Sequence, residues 1–176
     1  MCFYITKCFS CKGGQTHLVY RIGDMVTHPL HGAGVIAGIE TQRVDGKNRE
    51  YYILKLPSGD MKVKIPLDAS DKVGVRPIID ADEAERILCA ISEIKVSMTS
   101  NWNKRYRENM DRIKTGNLIE VASVVKGLVM RDKDRGLSTG ERKMLHSAKQ
   151  ILISEIVLST HSSYEDVEAR IERAMA

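Results

Sequence analysis

What this chain lacks narrows it first. No apolar run approaches the roughly eighteen residues needed to cross a bilayer, and the N-terminus carries no sustained apolar stretch with a small-residue cleavage site, so it reads as a cytoplasmic protein with neither membrane segment nor secretory signal. There is no G-x-S-x-G, no P-loop, no G-x-G-x-x-G and no H-E-x-x-H, which leaves an enzyme without any of the usual nucleophile, phosphate or zinc frameworks. No internal repeat or low-complexity segment is present. Charge of one sign is not concentrated either: the formal net charge is +4, which permits a polyanionic partner without demanding one. Aromatic residues make up 5% of the chain, with a single tryptophan.

Cysteine is scarce and unevenly placed. Three of the four cysteines, Cys2, Cys8 and Cys11, lie near the start. Cys8-Phe9-Ser10-Cys11 has the spacing of half a zinc site or a redox pair, but a structural zinc wants four ligands. No second C-x-x-C and no nearby histidine pair exists, and only Cys2 and His17 are at hand. Residues 1–19 are therefore read as a disordered leader that holds no metal. Cys89, in an apolar helical setting, is expected to be a buried small hydrophobe. His28 and His31 bracket Pro29-Leu30 in a loop, weak grounds for a metal, and His146 is expected to be hydrogen-bonded or at the surface. No cofactor is called for.

With 176 residues, 43% hydrophobic and 28% charged, the chain is long enough for one large or two small domains with a real core. From about Tyr20 to Pro66 the pattern is β. Asp24–His28 is followed by turn-prone Gly32 and Gly34, and a long run Val35–Val44 leads into Asp45-Gly46, a pair suited to a type I′ turn because both positions need positive φ. The return strand is Glu50–Leu56. After a further turn, Met61, Val63 and Ile65 alternate with Lys62 and Lys64. Four short antiparallel strands in about fifty residues suggest a small, strongly bent sheet of the SH3 or Tudor kind.

From Asp80 the period changes to 3.6. Asp80-Ala81-Asp82-Glu83 reads as a capping box, with Ala84, Ile87, Leu88 and Ile91 on one face. A second helix carries Trp102 and stops near Thr115-Gly116. A third runs from Asn117 to about Arg131, followed by a solvated charged connector, Arg131–Gly136. Ser138-Thr139-Gly140-Glu141 caps a fourth, and Ser162-Ser163-Tyr164-Glu165 a fifth. The fold class is α+β: a Tudor-like sheet over residues 20–70, then a compact domain of about five helices over residues 78–176.

Trp102 sits among Lys104, Arg105 and Arg107, with Arg112 and Lys114 beyond. A flat apolar ring surrounded by cations can wedge at a base step while its neighbours hold phosphates. Spacing alone favours the plainer alternative, a core tryptophan partnered by Tyr106 and Ile113 on an amphipathic helix.

Gly23-Asp24-x-Val26-x-His28-Pro29-x-His31-Gly32-x-Gly34, then Tyr51-Tyr52-x-Leu54 and Val63-x-Ile65-Pro66, resemble the N-terminal module of the CarD family of bacterial transcription regulators. This module also serves as the polymerase-interacting domain of the transcription-repair coupling factor. The resemblance continues through Val73-Gly74-Val75-Arg76, Asn101-Trp102-x-x-Arg105-Tyr106 and Arg131-Asp132-x-x-Arg135-Gly136-Leu137-Ser138-x-Gly140-Glu141-x-x-Met144-Leu145. It covers nearly everything after about Arg21, and the tryptophan helix and the Arg135–Ser138 stretch set CarD apart from the coupling factor.

The resemblance implies a monomeric binding protein with two partners. Its Tudor-like domain would dock on the β subunit of RNA polymerase. Its helical domain would lie against promoter DNA at the upstream edge of the −10 element and stabilise the open complex through a tryptophan wedged in the minor groove. By position the wedge is Trp102, and its phosphate-contacting neighbours are Lys104, Arg105 and Arg107. The polymerase-facing positions fall at Gln42 and Lys64. Gln42 stands where some members have arginine, with Arg43 beside it. The alternative is a freestanding DNA-binding repressor, for which base-reading residues at a helix start would be Asn101 and Asn103.

Overall fold

A computed structural model describes residues 9–11, 16–57 and 61–175. Two short strands, β1 (Phe9–Cys11) and β2 (Thr16–Leu18), precede β3 (Met25–His28), β4 (Gly32–Val44), β5 (Lys47–Lys55), β6 (Lys62–Pro66) and β7 (Arg76–Pro77). Five helices follow: α1 (Ala81–Ala90), α2 (Trp102–Lys114), α3 (Leu118–Arg135), α4 (Thr139–Thr160) and α5 (Tyr164–Met175). The α+β architecture is the one expected, an antiparallel sheet and then five helices. In the segment read as a disordered leader, β1 and β2 pair antiparallel. Cys2 and Cys8 lie outside the described residues.

The main sheet has the order β6-β5-β4-β3-β7, antiparallel throughout. The β4–β5 hairpin turns at Asp45 (φ 51°) and Gly46 (φ 76°), the positive pair that a type I′ turn requires. A register shift between Ile36 and Gly38 adds the local bend by which so small a sheet can curl over its own core. That core holds Tyr20, Val26, Ile36, Tyr52, Leu54, Leu56, Ile65 and Val75. Met61, grouped by alternation with Val63 and Ile65, precedes the strand and is 52% exposed. The sheet also has a strand more than expected: β7 is two residues long, too short for alternation to reveal.

Helix starts follow their caps. Glu83 donates its backbone N–H to Asp80 Oδ1 (2.7 Å), and α1 buries Ala84, Ile87 and Leu88. Cys89 is exposed, not buried: one helical step beyond Leu88 carries it off the inward face. The connector expected at Arg131–Gly136 is instead the last turn of α3, which runs to Arg135 and ends on Gly136 at φ 73°. Lys133 and Arg135 there suit the negative end of the helix dipole, and a turn facing water needs no apolar period. Ser138 and Glu141 form a full capping box at the head of α4. Helix α5 is capped one residue later than expected, by Ser163, whose Oγ accepts the backbone N–H of Asp166 (3.1 Å), while Ser162 accepts from Thr160 (2.9 Å).

Helix α4 is the central element. It packs against α3, α5, α1 and β4, and Ala148, Ile151, Leu152, Ile153 and Ile156 are all buried in the helical core. The sheet meets it at Gly32 and Ala33. Ala33 donates its N–H to Ser154 Oγ (2.9 Å), and a Cβ on Gly32 would collide with that same hydroxyl and with the backbone of Ile151. Next to this contact Arg76 of β7 grips the fully buried Glu155, Nη1 to Oε1 at 2.6 Å and Nη2 to Oε2 at 3.1 Å, and also donates to the Gly116 carbonyl (2.7 Å).

Candidate nucleic-acid interface

Asn101 has extended backbone and accepts the N–H of Lys104 on its side-chain oxygen (3.1 Å). This cap starts α2 at Trp102, where the first turn of the helix faces outward. Four residues on, Tyr106 falls on the same side, and the two rings stack with centroids 5.4 Å apart and planes 28° apart. The indole Nε1–H donates to Ser138 Oγ (3.1 Å), and a Cβ at Gly140 would stand 3.6 Å from the indole Cζ2. The first turn of α4 thus backs the ring, while Trp102 remains 43% exposed. It belongs to neither core.

The cations around it separate into two kinds. Arg107 is exposed, and Lys104 is 67% exposed with only a loose 3.9 Å approach to Glu108. Arg105, expected among the phosphate-contacting residues, is 1% exposed. Its Nε and Nη2 donate to Glu141 Oε1 (2.9 and 2.6 Å), and its Nη1 donates to the carbonyls of Thr99 and Ser100 (2.8 and 3.0 Å). With every nitrogen of the fork engaged inside the protein, Arg105 meets no phosphate in this arrangement, and that expectation is corrected. Arg105, Asn109 and Ile113 are the buried residues of α2. Their spacing of four marks the inward stripe, a signal present in the sequence but masked by the charge of the arginine.

Glu141 is the residue that sequence reasoning assigned only as a cap. Burial pushes its carboxyl pKa up, but the hydrogen bonds from Arg105 and from the Ser138 backbone and hydroxyl outweigh this and hold it below the ordinary value. Arg131 Nε also lies 3.3 Å from Glu141 Oε1. The carboxylate is therefore charged, compensated and shared between α2, α3 and the start of α4.

On the sheet, Lys64 of the edge strand β6 reaches Glu40 Oε2 at 2.8 Å. Directly paired residues share a face, and the pairs Ile53–Lys64, Gly38–Ile53 and Gln42–Arg49 place Lys64, Glu40 and Gln42 on one side. Arg43, one residue on, is exposed on the other. The His28 and His31 rings stand 4.6 Å apart. Burial first, and the neighbouring His31 second, lower the His28 pKa to about 4, and its Nδ1 accepts the Leu30 N–H (3.1 Å). His146 lies at the surface. Among the described residues no three His, Cys, Asp or Glu are grouped to hold a metal ion, and no helix is long and apolar enough to cross a membrane.

A bent Tudor-like sheet locked to a helical bundle, with an outward aromatic pair among exposed cations, defines an α+β protein. Comparison with known proteins gives that class its family. Residues 20–79 match the CarD-like/TRCF RID domain and residues 86–172 match the C-terminal domain of CarD. YdeB of Bacillus subtilis (strain 168) is 33% identical over 138 residues, which is 78% of this chain and 90% of YdeB. The chain belongs to the CarD family of transcription regulators.

Proposed function

We propose that this protein, a cytoplasmic monomer, docks on the β subunit of RNA polymerase through its sheet and stabilises the open promoter complex by wedging Trp102 into the minor groove at the upstream edge of the bubble. The docking surface is the sheet face of Gln42 and Lys64. Arg43 points away from it. On the DNA side, Lys104 and Arg107 meet phosphates while Arg105 holds the helix in place.

The observation that carries this reading is the setting of Trp102, a ring backed by Tyr106 and α4 yet 43% exposed at the head of a cationic helix. A wedge costs a few kcal/mol of unstacking, so a protein of net charge +4 should bind free duplex poorly. Tethering to polymerase raises the local concentration and makes the weak contact count. Melted DNA offers an edge already unstacked, so the wedge prefers the open state, and about 1.4 kcal/mol of that preference shifts the equilibrium tenfold. A freestanding repressor fits less well, since the side-chain oxygen of Asn101, one of its two base-reading candidates, is engaged in capping α2.

The test is the lifetime of open complexes formed by polymerase holoenzyme with and without the protein. The parent should prolong it, and Trp102→Ala should prolong it far less while still binding polymerase. A Trp102→Ala protein that prolongs open complexes as the parent does would overturn the wedge, and a promoter-DNA shift without polymerase would favour the repressor.

A further inference from the structure

We propose that Ser138 is a positioning residue for Trp102, holding the indole at a fixed angle and occupying its N–H, so that the ring offers DNA an apolar surface and no hydrogen-bond donor. The proposal rests on the reading of Trp102 as the DNA-contacting side chain. It deepens that reading by saying how the ring recognises its target.

A serine hydroxyl has one proton to donate and two lone pairs to accept with, and Ser138 uses all three. It accepts the indole N–H (3.1 Å), donates to Glu141 Oε2 (2.9 Å) and accepts the Glu141 backbone N–H (3.3 Å). With the proton directed at the carboxylate, a lone pair is left facing the indole. Glu141 is itself fixed by Arg105 through two bonds to Oε1, and Arg105 stands on α2 three residues beyond Trp102. The path from Trp102 to Ser138, Glu141, Arg105 and back along α2 is therefore closed. Inside a helix cap such a circuit is more than capping requires, because the box is complete without the indole.

The minor groove presents adenine N3 and thymine O2 as acceptors. An indole free to turn could donate to them and so read A·T against G·C. Held by Ser138, it acts by shape and stacking, and its preference among base steps should follow how readily each step opens.

Two substitutions separate positioning from folding. Ser138→Gly removes the hydroxyl, although glycine remains a competent N-cap at a cost of only a few tenths of a kcal/mol; Ser138→Thr keeps the hydroxyl. Because the chain has a single tryptophan, its indole 15N–H gives one nuclear magnetic resonance signal, which reports ring order directly. Ser138→Gly should lower the order of that signal and shorten open-complex lifetime about three-fold, the size of one net neutral hydrogen bond, and Ser138→Thr should restore both. In a Trp102→Phe background, where no N–H exists, Ser138→Gly should change the lifetime no further. Unchanged indole order, or an equal loss of lifetime in the phenylalanine background, would overturn the proposal. If instead Trp102→Ala supports open complexes as the parent does, the DNA reading is what fails, and the indole measurement alone then decides the positioning.

Discussion

The two surfaces proposed for contact are built on opposite plans. Lys64 and Glu40 on the sheet form a lateral pair, 43% and 54% exposed, with water on both. The Trp102 surface stands on Arg105 and Glu141, whose side chains are 2% and 4% exposed and which are bonded to three separate parts of the chain. An exposed pair is screened and contributes little, whereas removing one partner of a buried pair strands a charge. The sheet face can therefore change its chemistry without changing its fold. The helical face cannot change its foundation, only the side chains that stand on it.

The sharpest way to break that contrast is Glu141→Ala. It should cost about 3–5 kcal/mol by leaving Arg105 buried without its counter-charge, measured from denaturant midpoints at pH 7. A loss below about 1 kcal/mol would mean that the two surfaces are not differently founded after all.

Acid should separate the halves next. His28 on the sheet has its folded pKa depressed from 6.5 to about 4, so the unfolded chain takes up the proton first. Its contribution is full above pH 6.5 and is lost as pH falls towards 4, by on the order of 3 kcal/mol. Glu141, also depressed from its ordinary 4.5, contributes fully above that value and is lost only below it. A pH titration of stability should show the earlier loss disappear in His28→Gln and the later one remain.

Trp102→Ala should be milder. Half-exposed and outside both cores, the ring should cost about 1 kcal/mol in thermal or chemical unfolding, well under the roughly 3–5 kcal/mol of a buried tryptophan. Lys64→Glu should be the smallest effect on stability, within about 0.5 kcal/mol, yet should abolish a pull-down of polymerase. A folded Lys64→Glu protein that still binds would remove the sheet face from the proposal.

Local rules made much of this molecule legible in advance. Asp45-Gly46 located the hairpin because its backbone demand is contained in two residues, and Ser138 with Glu141 located the head of α4 because a capping box spans four. Ala84, Ile87, Leu88 and Ile91 declared their face by spacing. What stayed hidden depends on partners distant in sequence. Arg105 reads as a surface cation until Glu141, 36 residues away, folds against it. Strand β7 exists only because β3 is there to pair with it. The final turn of α3 was obscured by its charges, which mark exposure as readily in a helix as in a loop. The exposed tryptophan could not be told from a core one by spacing, since both occupy the same helical positions.

Gly32 has a consequence beyond its own turn. Because no side chain fits between β4 and Ser154, and because Arg76 clasps Glu155 beside it, the sheet and the bundle meet without a hinge. A hingeless joint makes the molecule a gauge block. If one end is seated on an enzyme and the other on its template, the separation between the two seats is set by the protein and not by thermal wandering of a linker. Gly32→Ala, whose Cβ would meet the Ser154 hydroxyl and the Ile151 backbone, would then pry the joint apart and blur the separation that the two seats share.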